Sequence, residues 1–276
     1  MKSIELDNRR GHCLFSHQIR VLFLFFRALN GKALPYLLCV IFSGCTSLVT
    51  PPTLLEDLEK GRIDAHHVIF ICEGMFKDLG APWDKNLQED LQKSGATGLY
   101  LSYFTGISGV WFNYGSIGPG NLVADTADRI TQRHKESGSP RDPIIDAVGF
   151  SHGCEVILRA ACLIEKAKFR RVVFINSSSL STSSDPDRLV HEGKIQKLRN
   201  YWSPMDVVTL FAPLGAGQFG LCKSGEKITN ERTCITHLAF LIGAKFRSEI
   251  ISYLREDSQP LRGITKFNHD LVDLLG

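Results

Sequence analysis

The stretch DAVGFSHGCEV, residues 146–156, holds a serine between two glycines in the pattern Gly-x-Ser-x-Gly. An apolar run precedes the pattern and a helical pattern follows it. In that setting a tight turn lifts the serine hydroxyl above a sheet, close to the N–H groups of a helix N-terminus. We therefore predict that Ser151 is a nucleophile and that the backbone N–H of His152 helps to hold a developing oxyanion. The alternative is a glycine-rich turn in which Ser151 only caps the helix.

A serine alone is a poor nucleophile, and it needs a base that is itself oriented by a carboxylate. The segment NYWSPMDVV places Asp206 directly after a predicted strand, whereas Asp185 and Asp187 lie in a polar stretch that we interpret as a flexible loop. The segment CITHLAFL places His237 between a short β-like run and a late helix, and His269 near the C-terminus is the main alternative. The residues alone leave both choices open.

Strand and helix patterns alternate along the region that must position these residues. Apolar runs predict buried parallel strands in HHVIFICEGM, TGLYLSYF, PIIDAVGF and RRVVFINS, with a fifth strand in KLRNYWS. Helical patterns lie between or after them, one of them with Asn121 as a plausible cap. The alternation predicts an α/β domain over residues 66–276, with a mostly parallel sheet and helices on both faces. Ligand sites in such sheets lie at the carboxyl ends of the strands.

The strand, the GFSHG turn and the following helix, together with this alternation, resemble the α/β-hydrolase fold over roughly residues 66–257. That family has the chain order nucleophile, acid, histidine, so the resemblance implies a triad of Ser151, Asp206 and His237, and His191 breaks the order. It also implies an acyl-enzyme, a small-molecule or lipid acyl substrate with an ester or thioester bond, and no metal or organic cofactor. The family inserts lids at the segment 177–197, which is short here and implies a minimal lid.

The second oxyanion donor of the family comes from the loop after an early strand, where His-Gly is common. This chain has Glu73-Gly74-Met75 there, so the resemblance implies the backbone N–H of Met75 as donor. Glu73 departs from the pattern, because a carboxylate beside a developing anion is unfavourable unless it is turned away or hydrogen-bonded. This departure favours one alternative function, a hydrolase-like binding or envelope module without turnover. An acyltransferase or a peptidase is the other, because alcohols and amines also attack acyl-enzymes.

The first 44 residues have the layout of a secretory signal, with six basic and two acidic residues before an apolar run. The run ends in FSGC, which resembles the lipobox of bacterial lipoproteins, in which the cysteine becomes the lipidated first residue. The resemblance implies a leader over 1–44, a tether with a short helix over 45–65, and attachment of the domain through Cys45 to a membrane surface. We expect the protein in the cell envelope, facing the periplasm or the exterior. The alternative is an uncleaved N-terminal anchor in which Cys45 is an ordinary apolar cysteine.

The formal charge and the cysteine pattern exclude several other functions. The whole chain carries +3 and residues 1–44 carry +4, so the remainder carries −1 and has no basic surface suited to nucleic acid. No Cys-x-x-Cys pair exists, so a zinc ribbon is not supported. We predict that Cys72 and Cys154 are small core residues, and that Cys222 and Cys234 are able to form a disulfide after export.

Overall fold

The structure is a computed structural model of the 276-residue chain. It describes residues 56–57, 60, 66–74, 83–101, 116–139, 142–177, 186–204, 206, 225–233 and 243–256. Several residues singled out above lie outside the described residues: the leader with Cys45, and Met75, Asp185, Cys222, Cys234, His237 and His269.

The described residues form six strands and five helices in alternation. The strands are β1 His67–Cys72, β2 Thr97–Leu101, β3 Ile144–Phe150, β4 Phe169–Ile175, β5 Ile195–Trp202 and β6 Ile228–Arg232. The helices are α1 Trp83–Lys93, α2 Ile117–Glu136, α3 Gly153–Leu163, α4 Pro186–His191 and α5 Ala244–Arg255.

The strands form one sheet in the order β2-β1-β3-β4-β5-β6, and every pairing is parallel. All the strands therefore begin at one edge, the amino edge, and end at the other, the carboxyl edge. One buried cluster joins the sheet to α2, α3 and α4, and a second joins its other face to α1 and α5. Alternate residues of β1 divide between the two clusters, with Phe70 in the first and Ile71 in the second.

This parallel sheet with helices on both faces confirms the predicted α/β class, and its strand order, with Ser151 directly after β3, fits the α/β-hydrolase fold. The strand β3 lies inside the sheet, with two strands on one side and three on the other. The residues that follow β3 at the carboxyl edge are therefore flanked by the ends of β1 and β4.

Four details of the secondary structure differ from the sequence-based expectation. Strand β6 was not predicted, because Ile228 is the one buried residue in this edge strand. Asp187 lies in the first turn of α4 and not in a flexible loop. Helix α2 begins before Asn121, and its N-cap is Ser116. Helix α3 ends at Leu163, earlier than its apolar pattern suggests.

A buried ionic network occupies the sheet near its amino edge, around Asp146 of β3. The Asp146 carboxylate accepts hydrogen bonds from the Arg170 side chain, at 3.1 Å from Nε and 2.6 Å from Nη2, and from the Arg171 backbone N–H at 2.9 Å. It also lies 2.6 Å from Nε2 of His67 at the start of β1. Both arginines belong to β4, and the Asp146 carboxylate compensates for the charge of Arg170.

The same two arginines hold the carboxyl end of α5 against the sheet. Arg170 donates to the carbonyl of Leu254, and Arg171 donates to the carbonyl of Tyr253. Arg171 also bonds the Glu256 carboxylate at 3.1 Å. Cations at a helix C-terminus satisfy its last carbonyls and favour its dipole, so this network ties the last described helix to β4.

Candidate active site

Ser151 follows β3 directly and has a left-handed backbone, with φ of 54°. Its N–H donates to the Ile175 carbonyl at 2.9 Å, and its own carbonyl accepts from the Cys154 N–H at 3.2 Å in the first turn of α3. A residue other than glycine costs roughly 1–2 kcal/mol in this conformation. Such strain persists where the surrounding structure enforces it, and it clusters at functional sites.

The two glycines of the motif are required by close packing around Ser151. A side chain at Gly149 would bring its Cβ to 2.8 Å from the Cys154 nitrogen, against the start of α3. A side chain at Gly153 would clash with the Cys72 carbonyl at the end of β1. These glycines permit close packing between strand and helix, and residues 149–153 are hereafter the serine turn.

The chain that follows β1 passes directly against the serine turn. A Cβ on Gly74 would lie 2.9 Å from Ser151 Cβ and 3.3 Å from Ser151 Oγ. The peptide after Gly74, which carries the predicted Met75 donor, therefore begins beside the hydroxyl. Glu73, directly before it, is buried. The role of Met75 stays a prediction, because that residue lies outside the described part of the chain.

His152 is buried and forms the N-cap of α3, with φ of −62° and ψ of −23°. Its carbonyl accepts hydrogen bonds from the N–H groups of Glu155 at 3.0 Å and Val156 at 3.3 Å. The backbone N–H of His152 thus belongs to the positive end of the helix, next to Ser151. This is the location expected for an oxyanion donor, and the donation itself stays a prediction.

Asp206 lies beyond the end of β5 and is completely buried. Its N–H donates to the Ser203 carbonyl at 3.2 Å, which closes a turn directly after the strand. Strands β3 and β5 flank β4, and neighbouring strands lie about 4.8 Å apart, so Ser151 and Asp206 leave strands that are about 10 Å apart. An imidazole ring that contacts both residues would have to lie beyond the end of β4, between these two strands. The triad stays a prediction, because His237 is not among the described residues.

The described histidines narrow the choice of base. His66 and His134 contact each other edge to face with ring centroids 5.5 Å apart, and α2 ends beside the start of β1. His67 bonds Asp146, and His191 ends α4 shortly before β5 begins. These four therefore lie at the amino edge, opposite Ser151, and the fifth described histidine, His152, is the N-cap of α3. His237 is four residues beyond Thr233, whose N–H donates to the Trp202 carbonyl at 2.8 Å where β6 leaves the sheet at the carboxyl edge.

Polar side chains that the sequence reasoning did not single out also line the carboxyl edge. Asn176 and Ser177 follow β4, Ser203 follows β5, and all three are completely buried. Asn176 is left-handed, with φ of 46°. The available signal was the polar pair Asn-Ser directly after the apolar strand RRVVFI, at the edge where ligand sites lie.

The buried cysteines are core residues, as predicted. Cys72 and Cys154 are both free thiols with no exposed surface. Burial raises the pKa of Cys154 to about 12 and raises the pKa of Cys72 still further, with the other thiol adding to the latter shift. Both groups are therefore protonated at neutral pH, and neither is a suitable nucleophile.

The described residues contain neither a metal cluster nor a membrane-spanning helix. In the ranges given above, no three His, Cys, Asp or Glu side chains converge as a metal site would require. Within those same ranges, no helix has the length and apolar character needed to cross a bilayer.

A cavity of about 460 Å³ lies among Arg170, Lys197 and Lys227, at the amino edge and away from Ser151.

Comparisons with known proteins give similarity in structure alone. No protein-family model matches the sequence, and no curated protein matches it at a significant level. The crystal structure of esterase PE8 matches with 14% identity over 70% of this chain and 93% of its own, at a TM-score of 0.40. A cold-adapted esterase from an Arctic intertidal metagenomic library matches with 12% identity over 71% of this chain and 84% of its own, at 0.44.

A hydrolase from Thermoplasma acidophilum, described as CIB-like, has 11% identity over 70% of this chain and 88% of its own, with a TM-score of 0.46. These solved structures are described as esterases and hydrolases. At such identities and TM-scores the similarity carries no argument about activity, which must rest on this chain's own residues.

Proposed function

We propose that this protein is a serine hydrolase that cleaves carboxylic ester, thioester or lipid acyl bonds through an acyl-enzyme. The observation that carries the proposal is the backbone of Ser151, which is left-handed at φ of 54° between two glycines that admit no side chain. A merely structural turn would relieve this strain by placing glycine at the left-handed position. The strained serine backbone at this position presents the hydroxyl beyond the end of the sheet.

The surroundings of Ser151 support the same reaction. Gly74 approaches the hydroxyl on one side, and the N-terminus of α3 begins on the other. Backbone N–H groups on both sides would stabilise the negative charge that develops on a carbonyl oxygen. In the proposal these donors are the N–H groups of His152 and Met75.

In the proposed reaction, Ser151 Oγ attacks the acyl carbon while His237 takes the hydroxyl proton. The resulting oxyanion collapses and expels the alcohol or thiol, which receives that proton from His237, and Ser151 remains as an acyl ester. Water then attacks the ester as His237 takes its proton, and the acid is released with Ser151 restored. Asp206 orients the imidazole and stabilises its protonated form.

Fluorophosphonate labelling of the purified protein tests the nucleophile. We expect a phosphonate adduct that peptide mass spectrometry assigns to Ser151 and that disappears in Ser151→Ala. Hydrolysis of p-nitrophenyl butyrate should disappear in the same variant. Folded wild-type protein that forms no adduct and shows no turnover would overturn the proposal, and it would favour a binding module with the same fold.

The base is tested by comparing His237→Ala with His269→Ala. We expect His237→Ala to abolish labelling and His269→Ala to label at the wild-type rate. The reverse result would leave the hydrolase standing and reassign the base. Adding alcohols or amines during turnover separates hydrolysis from acyl transfer, since an acyltransferase would give the acylated acceptor as its main product.

We further propose that the domain is held at a membrane surface by acylation of Cys45, with the protein in the cell envelope. The FSGC segment after a basic and apolar leader supports this location. Expression in bacteria supplied with an alkyne fatty acid tests it. We expect the wild-type chain to carry the alkyne and Cys45→Ala to lack it. Equal labelling of both chains, or labelling of neither, would exclude lipidation at this position.

A further inference from the structure

Two residues other than glycine have positive φ among the described residues: Ser151 at 54° and Asn176 at 46°. They follow neighbouring strands, because Phe150 of β3 pairs with Ile175 of β4. Asn176 takes no part in the reaction proposed above. Asparagine tolerates the left-handed region better than most residues, but the conformation still has an energetic cost.

One peptide group joins the serine turn to the strand that leads to Asp206. The carbonyl of Ile175 accepts the Ser151 N–H at 2.9 Å, and the N–H of Asn176 donates to the Tyr201 carbonyl at 2.9 Å. The Ile175 carbonyl and the Asn176 N–H belong to the same planar peptide unit. A rotation of this unit would therefore disturb β3 and β5 together.

The turn that carries Asp206 begins just beyond Tyr201, the residue of β5 that this peptide contacts. Tyr201 is followed by Trp202 and Ser203, and the Ser203 carbonyl accepts the Asp206 N–H at 3.2 Å. The relative placement of Ser151 and Asp206 thus depends on the peptide between Ile175 and Asn176. The Cys154 thiol also contacts the Ile175 carbonyl, at 3.9 Å, from beneath the serine turn.

The left-handed conformation has a further consequence for the space between the two strands. Strand β4 lies between β3 and β5, and an extended residue at position 176 would continue it outward. The chain would then enter the gap that a base must occupy to contact both Ser151 and Asp206. A left-handed residue turns the chain away and ends the strand at Ile175.

We propose that Asn176 is a positioning residue: its left-handed backbone ends β4, keeps the gap between Ser151 and Asp206 open for the base, and fixes the peptide that links their strands. This inference rests on the proposed serine hydrolase function. Asn176 is completely buried and acts through these neighbours.

The test compares Asn176→Gly with Asn176→Val in hydrolysis of p-nitrophenyl butyrate and in the rate of fluorophosphonate labelling. Glycine adopts positive φ freely, so we expect its kcat within about twofold of wild type. Valine strongly disfavours positive φ, so we expect kcat and labelling to fall roughly ten- to hundredfold with KM nearly unchanged. Asn176→Ala, which imposes a milder strain, replaces the valine variant if the latter is not recovered folded.

Gly193→Val is the matched control. Gly193 has φ of 73°, and a Cβ added there meets no atom within 4 Å. It lies between α4 and β5, at the amino edge. We expect this variant to lose thermal stability through the same kind of backbone strain while kcat stays at the wild-type value.

The outcomes separate the two proposals. A wild-type kcat in Asn176→Val, with Ser151 still labelled in the wild type, would overturn the role of Asn176 alone. An equal loss in Asn176→Gly and Asn176→Val would also overturn it, because the side-chain amide and not the backbone would then matter. Wild-type protein with neither labelling nor turnover would overturn the hydrolase and this inference with it.

Discussion

A buried polar residue lies near each end of β3, Asp146 within the strand and Ser151 directly after it, and their surroundings differ in kind. Near the amino edge, Asp146 accepts hydrogen bonds from Arg170 and Arg171, so its buried charge is compensated by partners in regular β conformation. At the carboxyl edge, Ser151 is held in a left-handed conformation that costs energy. A buried charge with hydrogen-bonded partners belongs to the fold, whereas backbone strain that the fold maintains is typical of a functional site.

The largest effect should come from the carboxyl edge and should spare stability. Asp206→Asn keeps the shape of the side chain but removes the charge that orients the base, so we expect kcat to fall roughly 10⁴-fold. We expect the thermal midpoint to change by only a few degrees. Steady-state hydrolysis and thermal unfolding of the same preparation measure both quantities.

Asp187→Asn is the matched control for Asp206→Asn, because Asp187 lies in the first turn of α4. Its kcat should equal that of the wild type. Loss of activity in Asp187→Asn with full activity in Asp206→Asn would show that the aspartate that orients the base lies in α4. The assignment of this role to Asp206 would then be wrong.

The amino edge should behave in the opposite way. Asp146→Ala leaves the side chain of Arg170 and the backbone N–H of Arg171 without their shared carboxylate, so we expect the free energy of unfolding to fall by about 3–5 kcal/mol. The fluorophosphonate labelling of Ser151, counted per folded molecule, should be unchanged. Urea denaturation and labelling after removal of unfolded protein measure the two effects.

Asp146→Asn is the companion variant, since it keeps the hydrogen-bonding shape and loses only the charge. It should be less destabilising than alanine. Labelling per folded molecule that drops along with stability in both variants would show that the two edges are coupled, and the comparison between them would then fail.

A smaller effect is expected at alkaline pH from the helix that the amino-edge network holds. Burial raises the pKa of Tyr253 from 10.0 to about 12, although Arg171 and Arg199 oppose the shift. Between these values the folded chain keeps the phenol proton and the unfolded chain releases it. The free energy of unfolding should therefore fall as the pH rises through this window, by roughly 1–3 kcal/mol from this residue.

Tyr253→Phe is the variant that checks this prediction, by urea denaturation at several pH values between about 9 and 12. The variant cannot ionise at this position, so its stability should decline less steeply with pH than that of the wild type. Identical slopes would mean that the phenol of Tyr253 titrates normally in the folded chain.

The sequence predicted the buried strands well and the edge strand poorly, for a physical reason. Strands β1, β3 and β4 are covered on both faces, so nearly every residue is apolar and the run is easy to recognise. Strand β6 lies at the sheet edge and has Ile228 as its one buried residue, so its composition resembles that of a loop. Its pairing with β5 depends on backbone hydrogen bonds that composition does not reveal.

The site was predictable where residue type and backbone geometry coincide. Glycine stands at positions 149 and 153 because strand and helix pack too closely there for a side chain, and this pattern made the serine turn recognisable in the sequence. Asn176 was overlooked because a left-handed φ at a residue other than glycine leaves little trace in the sequence. The partnership of Asp146 with Arg170 was also overlooked, because it joins two strands that only the sheet order brings together.

The hydrogen bonds from Arg170 and Arg171 of β4 to the end of α5 have a consequence for the chain during its synthesis. Arg171 and Arg170 find their carbonyl partners 82 and 84 residues later in the sequence. Until α5 arrives, one face of the sheet, including Ile69 and Val173, has no cover from that helix. A chain that ends before α5 should therefore be prone to aggregation and to proteolysis. The last described helix is therefore the element that completes the cover of this face of the sheet.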